Sequence, residues 1–66
     1  MKSQLDTAQR AFQDKSEELA RHIKLLRDYA TTPGNAWLAE DELYQIQALI
    51  RELEELVAEI KRLEQG

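Results

Sequence analysis

The sequence predicts an all-α fold: an antiparallel two-helix hairpin that associates into a four-helix bundle or coiled-coil-like oligomer. Three observations carry that expectation. Apolar residues recur at steps of three and four along two long stretches, the period of one helix face. The 66 residues include only two Gly and one Pro, among many Glu, Leu, Ala, Gln, Lys and Arg, which have high helix propensity. The one concentrated breaker signal, Thr31-Thr32-Pro33-Gly34-Asn35, separates the two stretches. A short connection makes the two helices antiparallel neighbours. At this length residues 1–66 form a single domain.

The first helix is expected over about residues 2–31. Ser3 is its N-cap candidate, with Asp6 three residues on in the manner of a capping box. Its stripe is Leu5, Ala8, Phe12, Leu19, Ile23, Leu26 and Ala30. Lys15 and Ser16 occupy the wide gap between Phe12 and Leu19. A strict heptad from Leu5 places Lys15, His22 and Tyr29 on the seam. The phase through Ser16, Ile23 and Ala30 is more apolar, and a shift to it acts as a stutter that keeps the helix nearly straight. The other side carries the i,i+4 pairs Asp6–Arg10, Arg10–Asp14, Glu17–Arg21 and Lys24–Asp28, the pattern of a solvated face.

Pro33 disfavours helix at Thr32, so the turn is expected at about residues 32–35. The second helix is expected over about residues 35–64, with Asn35 as N-cap candidate and a start near Glu40 as the alternative. Its stripe holds two overlapping seams. One is Leu43, Ile46, Ile50, Leu53, Val57, Ile60; the other is Ile46, Leu49, Leu53, Leu56, Ile60, Leu63. A helix with one neighbour needs a narrow stripe, and a wider one faces two. Helix 1 supplies one neighbour, so the second comes from another chain. Leu43, Ile46, Leu49, Ile50, Leu53, Leu56, Val57, Ile60 and Leu63 are therefore the predicted protein interface.

The same conclusion follows from what the chain lacks. Without Cys it has no disulfide and no thiolate metal site, and chains this short seldom bury enough core alone. Association is the remaining route to stability, with itself as a homodimer or with another helical protein. Charge is uneven: residues 1–31 hold six Lys/Arg and five Asp/Glu, residues 32–66 three and eight. That mildly favours packing helix 2 against helix 1 rather than against another helix 2.

No constellation of catalytic or cofactor-binding residues emerges. His22 is the only imidazole, and Glu18 four residues earlier is its expected carboxylate partner. Glu54, Glu55 and Glu59 read as a solvated acidic face, because the Glu-x-x-His motif of di-iron bundles is absent. Trp37 and Tyr44 stand seven apart, roughly opposite the Leu/Ile stripe at ~100° per residue. With Leu25 and Tyr29 they form a possible second contact; the competing expectation is that Trp37 and Leu38 fold over the bundle end as a plug.

The function these features support is a non-enzymatic protein–protein interaction or oligomerisation module, without cofactor, metal or small-molecule substrate. One variant is a small chaperone or co-chaperone, since the layout resembles the two-helix helper proteins of bacterial type III secretion needles. The layout also resembles dimeric RNA-binding hairpins of the Rop type. Against that, Arg10, Arg21, Lys24 and Arg27 are interleaved with Asp14, Glu17 and Asp28, and a dimer doubles a net charge of −4. The near-ideal helix content of residues 52–64 also suits a designed bundle. No apolar run reaches the ~20 residues of a membrane span, and Met1-Lys2-Ser3-Gln4 has no apolar signal region, so the expected location is the cytoplasm.

Overall fold

A computed structural model describes residues 3–65. They form two helices, α1 (Gln4–Ala30) and α2 (Ala36–Gln65), packed side by side as a hairpin. Lys2, where the residue pattern predicts helix 1 to begin, lies outside the described residues. The hairpin is 50 Å long, 18 Å across and 11 Å thick.

Each end of α1 has a local cause. Ser3 has extended backbone, and its Oγ accepts the Asp6 N–H at 3.1 Å, which satisfies one of the orphan donors of the first turn. At the other end two threonines cover the last carbonyls. Thr31 Oγ1 donates to the Arg27 carbonyl at 2.8 Å and Thr32 Oγ1 to the Asp28 carbonyl at 2.7 Å. Helix 1 thus stops at Ala30, held by hydroxyl groups as well as by the proline downstream.

The Asn35 N–H donates to the Thr32 carbonyl at 3.2 Å and closes a four-residue turn. Pro33 is its second residue and Gly34, at φ +87, its third, the signature of a type II turn. A Cβ on Gly34 meets nothing within 4 Å, so only the left-handed backbone disfavours a side chain there. Gly34→Ala is expected to lower the unfolding free energy by about 1–2 kcal/mol, read by urea denaturation. The Asn35 carbonyl accepts from Leu38 N–H at 3.0 Å and Ala39 N–H at 3.2 Å. α2 therefore begins at Ala36, and the alternative start near Glu40 is excluded.

The seam of α1 differs from expectation. Leu5, Ala8, Phe12, Lys15, Leu19, His22, Leu26 and Tyr29 are all buried or half-buried, an unbroken heptad, while Ile23 and Ala30 are exposed. The phase does not shift to the more apolar row. The reason lies on α2, which meets the seam's two polar residues with carboxylates. Lys15 Nζ lies 3.0 Å from Glu52 Oε2, and His22 Nδ1 lies 2.6 Å from Glu42 Oε2. The facing row of α2 is Ala39, Glu42, Ile46, Leu49, Leu53, Leu56, Ile60 and Leu63, again in steps of three and four. Ala8, Ala39, Ile46 and Leu49 are the buried apolar residues, at 6–8 % exposure, and no described side chain is less than 2 % exposed. The core is one side chain deep, because two helices alone have no third layer to close it.

Candidate protein interface

The nine predicted interface residues of α2 fall into two groups. Ile46 and Leu49 are buried against α1, and Leu53, Leu56, Ile60 and Leu63 are half-buried in the same row. Leu43, Ile50 and Val57 are left over. They follow Glu42, Leu49 and Leu56 by one residue, so they flank the facing row on one side. On α1 the equivalent flank is Gln9, Ser16, Ile23 and Ala30. In an antiparallel helix pair these two flanks lie on the same side of the molecule. Ile23, Leu43, Ile50 and Val57 are each 42–49 % exposed and share one broad face. Ile23 was not among the predicted interface residues. Its signal was present in the strict heptad from Leu5, which turns Ile23 out of the seam.

The opposite broad face is charged. Lys15 reaches over it to Glu18 at 3.6 Å and Glu52 at 3.0 Å, beside a shallow depression lined also by Ala11, Asp14, Glu55 and Leu56. The hydrogen bond to Glu52, then the charge of Glu18, holds the Lys15 ammonium above its ordinary pKa. Because the folded value is the higher one, the pair's contribution is complete at neutral pH. It fades only as pH rises past the lysine range. Further along, Glu59 and Arg62 pair on the same helix. The two broad faces thus differ in kind: aliphatic on one, ionic on the other. Leu25, 38 % exposed, sits on the charged face near the turn.

The remaining candidates are placed as follows. Trp37 and Tyr44 project from the outer side of α2, 65 % and 63 % exposed, and within the hairpin Trp37 is not packed over the turn end. Tyr29 is not beside them; it is half-buried in the α1 seam. His22 is bonded to Glu42 of the other helix and not to Glu18, because the seam position turns its ring toward α2. The side chains of the pair are 25 % and 14 % exposed. Such a pair can fix the relative position of two helices. Among the described residues no three His, Asp or Glu side chains are placed to hold a metal ion, and no described helix is long and apolar enough to cross a membrane.

No protein-family model matches the chain, and neither the curated proteins nor the solved structures show a significant match to it. The reading of its role rests on the two faces themselves.

Proposed function

We propose that the hairpin is a non-enzymatic protein–protein interaction module that completes its core by covering the Ile23–Leu43–Ile50–Val57 face with another helical chain. The observation that carries this reading is the convergence of four half-exposed large aliphatic side chains, contributed by both helices, on one of two broad faces. Scattered surface aliphatics need no explanation, whereas four of them aligned on one face of a molecule with so thin a core support an interaction surface. Covering it gives each helix a second neighbour and produces a four-helix bundle.

Sedimentation over a dilution series tests the reading. The wild-type chain is expected to sediment above the 7.7 kDa of a single chain at high concentration. Ile50→Asp is expected to abolish that excess, while Ala58→Asp, on the outer side of α2, leaves it intact. A wild-type chain that stays a monomer at every concentration, and whose stability Ile50→Asp leaves unchanged, overturns it.

A further inference from the structure

We infer that the chain covering the aliphatic face is a second copy of this one, packed against it antiparallel about a twofold axis. This rests on the module reading above and adds the identity of the partner. Charges border the face in a regular pattern. Outside the aliphatic flank of α1 runs the row Asp6, Gln13, Ala20 and Arg27; outside that of α2 runs Glu40, Gln47, Glu54 and Lys61. Each row starts with an acid and ends with a base, and the two ends are three heptads apart in both helices, roughly 30 Å at 1.5 Å per residue. Arg27 and Glu40 flank the face at the turn end, and Asp6 and Lys61 flank it at the other. Lys15 and Glu52 are in contact, and the antiparallel register they fix sets these levels.

A second copy laid face to face meets this pattern with its complement. With the turns at one end, Arg27 of each copy lies over Glu40 of the other, and Asp6 over Lys61. With the turns at opposite ends, Asp6 lies over Arg27 and Glu40 over Lys61. Both arrangements keep all neighbouring helices antiparallel and pair unlike charges at all four corners. A parallel neighbour sets acid on acid and base on base. Acids near helix starts and bases near helix ends also suit the helix dipoles. The dipoles do not require the equal three-heptad spacing, nor its place on the border of the aliphatic strip. Size agrees as well. A face 50 Å by 18 Å offers an area comparable to the ~800 Å² per partner of a standard interface.

Two charge variants test the inference. Arg27→Glu/Lys61→Glu makes every corner acidic, and Asp6→Lys/Glu40→Lys makes every corner basic. The wild-type chain is expected to reach twice 7.7 kDa and no more. Each variant alone is expected to dimerise about tenfold more weakly or worse at low salt, from several exposed like-charge contacts. An equimolar mixture is expected to recover the dimer, with the recovery shrinking as salt screens the corners. Loss of helix stability within each variant cannot produce recovery on mixing; only contact between chains can. Variants that dimerise like the wild type, a mixture that does not recover, or a wild-type assembly larger than two chains overturns the inference and leaves the module reading standing. A folded wild-type monomer that Ile50→Asp destabilises has the same meaning. A monomer indifferent to Ile50→Asp overturns both.

Discussion

Leu49→Ala is expected to lower the free energy of unfolding by about 2–5 kcal/mol, the range for removing a buried leucine side chain. Leu49 is the least exposed large side chain described, at 6 %. It sits mid-way along α2 in the row that faces α1, so the helices cannot close over the void without losing register. The total stability of a chain of 66 residues is on the order of 3–10 kcal/mol. The single substitution therefore removes much of it. Urea denaturation at one fixed chain concentration measures the loss, since dilution itself shifts the midpoint of an associating protein. A loss below about 1 kcal/mol places the weight of the core elsewhere.

The second large effect is expected at the His22–Glu42 pair, and its sign depends on how many partners are changed. His22→Leu alone leaves the Glu42 carboxylate, 14 % exposed, facing an apolar seam without its donor. The expected cost is about 1–3 kcal/mol. Adding Glu42→Leu removes the stranded group and extends both apolar rows by one layer. The double variant is expected to recover the loss and to exceed the wild type, by about 1–4 kcal/mol in the most favourable case. A double-variant cycle in thermal unfolding checks both steps. Additive losses show that the contact carries no coupling. A double variant more stable than the wild type assigns the pair a role that stability does not measure. It lets α1 meet α2 in one register, because only one alignment brings His22 to Glu42 while Lys15 meets Glu52.

That pair also marks the limit of what the residues alone revealed. The two helices, the turn and the Ser3 cap were legible because each has a local cause: a 3.6-residue period, a Pro-Gly signal, a hydroxyl before an acidic first turn. The seam of α1 was not. Apolar content favoured the phase through Ile23 and Ala30, and only the cross-helix partners Glu42 and Glu52 make Lys15 and His22 acceptable inside. Such partners are separated by twenty residues or more along the chain, so no window on α1 contains them. The candidate face suffered the same way. The excess width of the α2 stripe was visible, yet which residues it left uncovered depended on the register of α1. Ile23 moved from the core to the face for that reason. Trp37 and Tyr44 lay opposite the stripe in the sequence pattern, and there they are.

The Thr32–Asn35 turn has a consequence for how the molecule opens. It is the single covalent link between the helices, and it stands at one end of a 50 Å rod. Pairing Leu26 with Ala39 closes a short loop; pairing Leu5 with Leu63 closes one that spans nearly the whole chain. Loop-closure entropy grows with that length, and the tether counts for least where the helix ends are free. The hairpin therefore separates as a zipper does, from Ser3 and Gln65 inward, while the layers next to the turn are the last to part.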